Sequence, residues 1–279
     1  MFSFEEKVIP LDEWINTFVD WLVESYRWFF QGLKWPVEAT LSGLEDGLLA
    51  LSPFIVIALV ALIAWRVSGI KLGIGSVIAL VLIGLLGLWE DTMITLAMVF
   101  ASVAFCACVG VPLGILAGRN DKFDMFLRPI LDAMQTTPAF VYLVPIVMLF
   151  SIGNVAGVIA TIVFALPPLI RLTSLGIRQV HPELVEAALA FGSTGWQVLT
   201  KVQIPLAMPT IMAGLNQTIM MALSMVVIAA LIGAGGLGAP VVMGLNTLDI
   251  GGATVGGLGI VLMAIVLDRI TQSLGDNKK

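Results

Sequence analysis

Residues 183–205 read ELVEAALAFGSTGWQVLTKVQIP, a polar, glycine-broken stretch between two long apolar segments at 154–175 and 208–233. Glu183, Glu186 and the run Ala187-Ala188-Leu189-Ala190 favour helix, Gly192-Ser193-Thr194-Gly195 breaks it, and Trp196 to Val202 resumes it before Pro205. A short helix, a sharp glycine turn and a second short helix make a compact knob. Small residues on its face let another surface come close, and Gly192 supplies a backbone conformation that larger residues avoid. The stretch reads as a socket for a second protein. The plainer alternative is a re-entry hairpin with no partner.

The rest of the chain explains why a polar knob stands out. Of 279 residues, 59% are hydrophobic and 12% charged, and the mean hydropathy is +1.03. A soluble domain carries about a quarter charged residues, so this chain lacks the charge to cover a water-facing surface. Several apolar runs approach the ~20 residues that a helix needs to cross the hydrocarbon core, and the alternating short segments of a β-barrel are missing. The fold class is therefore all-α and polytopic. Seven spans are expected, at about 48–67, 71–89, 92–118, 138–152, 154–175, 208–233 and 251–270. Pro138 and Pro145 in the fourth, and Pro167 and Pro168 in the fifth, free backbone carbonyls and bend the axis, which suits a translocation path as well as a static kink.

Ahead of the spans, residues 10–34 place Leu11, Trp14, Ile15, Phe18, Leu22, Tyr26, Phe29, Phe30 and Leu33 at helical spacing. Asp12, Glu13, Asp20, Glu24 and Arg27 take much of the other side. With Trp14, Trp21, Trp28 and Trp35 suited to the headgroup level, this is an amphipathic helix lying on the membrane or packed on the bundle. Residues 1–47 thus form an acidic external region, and 48–279 a membrane domain carrying the cytoplasmic loop 183–205. No cleavable signal peptide is expected, because the N-terminus lacks a basic region followed by an apolar one.

Charge fixes the orientation. With the 183–205 loop in the cytoplasm, Arg66, Lys71, Arg119, Lys122, Arg128, Arg171, Arg178, Lys201, Arg269, Lys278 and Lys279 lie inside, leaving Lys7, Arg27 and Lys34 outside. The positive-inside bias favours this arrangement, N-terminus out and C-terminus in. Gly110, Gly114 and Gly118 recur every fourth residue in the third span, as do Gly252 and Gly256 in the last. Such rows let helix backbones approach closely.

Candidate chemistry is sparse. Cys106 and Cys108 point to different faces of one helix, and a single histidine, His181, sits at the edge of the loop, so neither a disulfide nor a metal enzyme is indicated. Gly233, Gly235, Gly236 and Gly238 match a dinucleotide fingerprint in letters only, since no strand precedes them; they read as a flexible turn after the sixth span. There is no GxxxxGK[ST] phosphate loop, hence no expected nucleotide or other cofactor on this chain. Ionisable residues are scarce at mid-depth: Asp132, Arg171 and Asp268 all fall toward span ends. That argues against ion coupling and for energy arriving from elsewhere.

Glu186-Ala187-Ala188, three residues, Gly192, nine residues, then Val202-Gln203-Ile204-Pro205 resembles the EAA loop of permease subunits from binding-protein-dependent ABC importers, whose pattern is E-A-A-x3-G-x9-I-x-L-P. Val202 and Ile204 are conservative departures. MQTTPAFVYLVP (134–145), FALPPLIRLTSLGIRQV (164–180), NQTIMMALSMVVIAALIGAGGLG (216–238) and LDRITQ (267–272) resemble the subgroup for glycine betaine, proline betaine and other compatible solutes, with choline and carnitine as alternative substrates. The resemblance implies a type I importer permease in the bacterial inner membrane, working as a pair of copies. It also implies a separate ATPase that uses ATP and Mg, and an extracytoplasmic binding protein. Glu183, Glu186, Ala187, Ala188, Gly192, Val202, Ile204 and Pro205 would meet the ATPase. The kinked spans suggest Pro138, Phe140, Tyr142, Pro167, Met221 and Met225 for the path, with aromatic faces suited to a quaternary ammonium; Met220, beside the last two, could line it with them or simply pack. A self-sufficient carrier or channel, and a membrane scaffold without transport, are the rival readings; nucleic acid is not an expected partner.

Overall fold

A computed structural model describes residues 10–275. Its elements are helices: α1 Leu11–Ala50, α2 Pro53–Ser68, α3 Ile70–Leu85, α4 Trp89–Arg119, α5 Asp121–Thr136, α6 Ala139–Phe150, α7 Asn154–Arg178, α8 Pro182–Ala190, α9 Gly195–Val198, α10 Ile204–Ala230, α11 Gly238–Thr247 and α12 Ile250–Gly275. Lys7, Lys278 and Lys279 from the charge count, and the N-terminal residues of the signal-peptide reading, lie outside the described residues.

The expected count of seven spans is not reproduced. Among the described residues four helices are long and apolar enough to cross, namely α4, α7, the continuous Gly195–Ala230 segment and α12. The number is up to six if each of two bent pairs, α1–α2 (106°) and α5–α6 (99°), counts as one span. The shortfall has a local cause. In the first expected span, Leu48–Ala50 belong to the end of α1, and the chain turns at Leu51–Ser52 before Pro53 starts a helix of only 16 residues. Gly69, at φ 97°, then separates α2 from α3, also of 16 residues. Each is ~24 Å long at 1.5 Å per residue, short of the ~30 Å hydrocarbon core. The fourth expected span shrinks to the 12 residues of α6, held between the extended Thr137 before Pro138 and Ser151 at φ 71°.

Three further departures were not legible from apolar runs. α1 does not stop near residue 34: it passes through Pro36 and continues to Ala50, with one non-helical residue at Tyr26, so the expected division at residue 47 falls inside a helix. Residues 121–136, which fall between the expected spans, form amphipathic α5, capped by the Asn120 Oδ1, which accepts from the Lys122 and Phe123 N–H groups at 3.0 and 3.2 Å. The turn after the sixth span is followed at once by α11, which packs on α12.

At the centre α4, α7 and α10 pack together. Ala97, Met98 and Ala101 of α4 meet Val158 and Ala160 of α7 and Met225 and Ala229 of α10, and Val37 and Leu41 of α1 close one side with Leu143, Ile146 and Phe150 of α6. On the other side Leu80 and Ile83 of α3 and Met263 and Leu267 of α12 pack on Met93, Leu96, Ile219 and Leu223. Both glycine rows pack within the subunit. A Cβ on Gly114 would fall 2.5 Å from the Thr173 Cβ, one on Gly118 2.8 Å from the Ile177 Cβ, and one on Gly256 3.0 Å from Val241. Without a hydrophobic force between helices in lipid, this close approach lets dispersion hold α4 to α7 and α11 to α12. Cys106 is buried and its thiol points to the Ile162 carbonyl, while Cys108 is exposed.

Candidate coupling surface

The knob is built by two capping devices set back to back. α8 runs from Pro182, a residue suited to a first helical turn because its missing N–H would have no partner there. It ends at Phe191, and Gly192 turns the chain with φ 80°. Ser193 N–H donates to the Ala188 carbonyl at 3.1 Å and Gly192 N–H to the Leu189 carbonyl at 2.9 Å. This is the Schellman pairing, which satisfies the last helical carbonyls and demands a left-handed residue at the Gly192 position. One residue later Thr194 starts α9 with a reciprocal capping box: its N–H donates to Gln197 Oε1 at 2.8 Å, and Gln197 N–H donates to Thr194 Oγ1 at 3.3 Å.

From α9 the chain does not break before the next long helix. Leu199–Gln203 form a π turn that leads straight into α10, with the Ile204 N–H reaching back five residues to the Leu199 carbonyl. Pro205 has no N–H to give and its ring crowds a carbonyl of the preceding turn; the wider turn accommodates both. Val198 and Leu199 are buried, and Leu199 packs with Ile177 of α7 and Ala207 and Ile211 of α10. The base of the knob is thus part of the bundle, and its body is a continuation of α10.

The outer half is different. None of the side chains of α8 is buried. Glu183, Glu186 and Ala187 are exposed, Ala188 is half-buried, Gly192 is exposed, Val202 and Ile204 are half-buried, and Pro205 is exposed. Beside them stand Leu184, Leu189, Phe191 and Trp196, the last two 90% and 70% exposed. None of these four apolar side chains was expected from the sequence as a contact, although two aromatic rings in an otherwise polar loop were a usable signal.

Around the knob, charge ties the ends of helices together. Arg178 at the foot of α7 pairs with Asp121 at 2.6 Å and Asp124 at 3.5 Å of α5, and donates to the Ala117 carbonyl of α4 at 2.7 Å. Asp124 also pairs with Arg128, and Arg171 with Asp132.

The residues suggested for the path scatter. Pro138 starts α6, and Phe140 is exposed there with Val141, Val144 and Met148. Tyr142 is half-buried with its hydroxyl donating to the Met134 carbonyl. Pro167 is buried inside α7, Met221 is half-buried against Cys106, Ala165 and Leu169, and Met225 is wholly buried at the centre of the bundle. The structure does not bring these six onto one surface.

Residues 110–277 match the model of the family described as "Binding-protein-dependent transport system inner membrane component". The chain is 54% identical over 276 residues to the glycine betaine/proline betaine transport system permease protein ProW of Escherichia coli (strain K12), covering 99% of this chain and 78% of that one. It is 46% identical to the glycine betaine transport system permease protein OpuAB of Bacillus subtilis (strain 168), covering 97% of this chain and 96% of that one. Among solved structures, an inward-facing crystal form of the MetNI methionine ABC transporter superposes with a TM-score of 0.55 at 29% identity, over 65% of this chain and 89% of that one. A knob fused to a spanning helix, an all-α bundle like that of an importer subunit, and a family match over 110–277 agree: the chain belongs to the family of binding-protein-dependent transport system inner membrane components.

Proposed function

We propose that this permease forms the membrane path of an ATP-driven importer for glycine betaine, proline betaine and related quaternary amines, and that residues 183–205 receive the motion of a separate ATPase. The substrate class rests on the relatives, named for glycine betaine in ProW and OpuAB and for glycine betaine and carnitine in the 46% identical GbuB of Listeria monocytogenes serotype 1/2a (strain 10403S). One observation carries the coupling role. α8 has nine residues and no buried side chain, yet the knob that bears it is rooted in the bundle by Val198 and Leu199 and continues into α10. A helix that short is marginal in water. A partner that covers Leu184, Leu189, Phe191 and Trp196 would stabilise it, and a push on it is transmitted to α10 and, through Leu199 on Ile177, to α7.

The partners follow from the same reading: an ATPase that binds ATP and Mg on the cytoplasmic side, an extracytoplasmic binding protein, and a second permease copy. The N-terminus lies outside and the C-terminus inside. This orientation takes α2 and α3 each to cross, their ~24 Å length met by local thinning of the bilayer; among the described residues, Arg66, Lys71, Arg119, Lys122, Arg128, Arg171, Arg178, Lys201 and Arg269 then fall on the knob's side, and only Arg27 and Lys34 on the other. The arm of α1 from Leu11 to about Trp35 carries exposed Trp14, Phe18, Trp21, Trp28 and Trp35 and lies along the membrane surface as the external region.

The decisive experiment is uptake of labelled glycine betaine by cells expressing the permease with its ATPase and binding protein. Gly192→Glu should abolish uptake while membrane insertion stays normal; full uptake by that variant overturns the coupling role. Uptake by the permease alone under an ion gradient would instead identify a self-sufficient carrier. Competition by choline and carnitine would delimit the substrate class.

A further inference from the structure

α10 buries three sides and leaves one. Gly214 and Thr218 lie against α7, where a Cβ on Gly214 would meet Leu172 and Leu169 and the Thr218 hydroxyl donates to the Ala165 carbonyl at 3.1 Å. Asn216 turns to α12, donating to Asp268 at 2.9 Å and accepting from Thr271. Leu223 and Val226 pack into the cluster that contains Met93 and Leu96 of α4. The remaining stripe is Leu206, Ala213, Gln217, Met220, Ser224 and Leu231, all exposed and all within a narrow arc of the helix.

The stripe is polar in its middle. Gln217 stands thirteen residues from each end of α10, which runs from Ile204 to Ala230, and so about 20 Å from either end, inside the ~30 Å hydrocarbon core that this helix crosses. Its neighbour Asn216 is engaged through both its amide nitrogen and its oxygen, but the Gln217 amide makes no hydrogen bond among the described residues. Seven residues on, the Ser224 hydroxyl donates to the Met220 carbonyl at 3.0 Å and leaves its oxygen free to accept. Lipid tails offer an amide no partner, and an unpaired amide in hydrocarbon is costly. Polar groups at this depth face a bundle interior or a water-filled cavity. From Thr210 onward the rest of the α10 surface is buried or half-buried within the subunit.

We infer that Gln217, Met220 and Ser224 line the water-filled part of the translocation path at mid-depth, and that the Gln217 amide N–H is the hydrogen-bond donor that meets the substrate's carboxylate as it passes. The occupant is a small zwitterion: Nε2 of Gln217 offers two donors to a carboxylate. The thioether of Met220 gives a soft, adaptable wall for an alkylated ammonium. An uncharged amide is weak enough to let the substrate leave, as a path must. The carboxylate part rests on the betaine reading above; the hydration of the stripe does not.

Two measurements separate them. In a Cys106→Ser, Cys108→Ser permease assembled with its ATPase, single cysteines at 217, 220 and 224 should react with a membrane-impermeant thiosulfonate. Ile78→Cys on α3 and Ile265→Cys on α12, exposed apolar positions, serve as controls. The stripe should label at least about tenfold faster, because a thiol in apolar surroundings forms little thiolate. Labelling no faster than the controls, or a spontaneous disulfide between 217 cysteines of two copies without labelling, overturns the path. For the donor role, maximal glycine betaine uptake should fall in the order wild type, Gln217→Asn, Gln217→Leu, Gln217→Glu, with Ile265→Leu, outside the stripe, close to wild type. Equal uptake by the Leu and Glu variants and wild type overturns it. If the wild-type complex takes up no glycine betaine, the substrate reading fails, and the labelling result still decides whether the stripe is wet.

Discussion

Asn154 and Glu45, 109 residues apart, are joined by a 2.8 Å hydrogen bond from the Asn154 amide to the Glu45 carboxylate. The same Asn154 side chain accepts the Gly235 N–H at 2.7 Å, and the adjacent Gly153 N–H donates to the Ile232 carbonyl at 3.1 Å. One side chain at the start of α7 therefore clamps α1 and the turn after α10 at the end of the bundle away from the knob. Asn154→Leu keeps the bulk and removes both bonds, leaving a half-buried carboxylate and a backbone N–H without partners. The expected cost is about 2–4 kcal/mol, read as a lower Tm in detergent; Asn154→Asp should do as badly, since it sets two carboxylates face to face.

Gly114 has no room for a side chain, with its ideal Cβ 2.5 Å from Thr173 and 2.8 Å from the Ile170 carbonyl. Gly114→Val should push α4 off α7 and cost about 2–3 kcal/mol or prevent assembly, as overpacking does. At Gly257 on α12 nothing lies within 4 Å of an added Cβ, and the same substitution there should be tolerated. Yield and thermal stability of the two purified variants give the comparison.

Gly192 presents a different case, since its surroundings are equally open and only its φ of 80° is demanding. Gly192→Ala should therefore cost ~1–2 kcal/mol locally, and Gly192→Asn less, because asparagine accepts the left-handed region. If the turn matters to coupling, uptake will rank Gly, Asn, Ala, Val in that order while overall stability hardly changes.

Thr194→Ala removes one half of the capping box and Gln197→Leu the other. Each should loosen α9 by about 1 kcal/mol, seen as faster amide exchange at Gln197 and Val198. The double variant should exchange little faster than either single one, since the two bonds are reciprocal.

The knob was the most legible part of the molecule. Glu186-Ala187-Ala188, the glycine at 192 and the proline at 205 carried its helix, its turn and its junction, because caps and turns are local chemistry. The helical class and the long segments α4, α7, α10 and α12 were equally plain in hydropathy. Short helices were not. Nothing in the composition of 48–67 announces that the chain breaks at Ser52, since the preference of a residue before proline is modest and tertiary packing decides whether the chain bends. α5 hid because its apolar and charged residues alternate at helical spacing and produce no apolar run.

By itself the sequence determined that this chain is a helical membrane protein with a polar knob, and which residues make the knob's turn. Hydrophobic length and turn chemistry depend on neighbours in the chain. Only the tertiary structure decided which methionines are core and which are surface. Met225 and Met220 are five residues apart on one apolar helix, yet the first is sealed against α7 and the second stands beside Gln217 on the open stripe. That difference depends on where α4, α7 and α12 come to rest around α10, a question of packing between segments far apart in the chain.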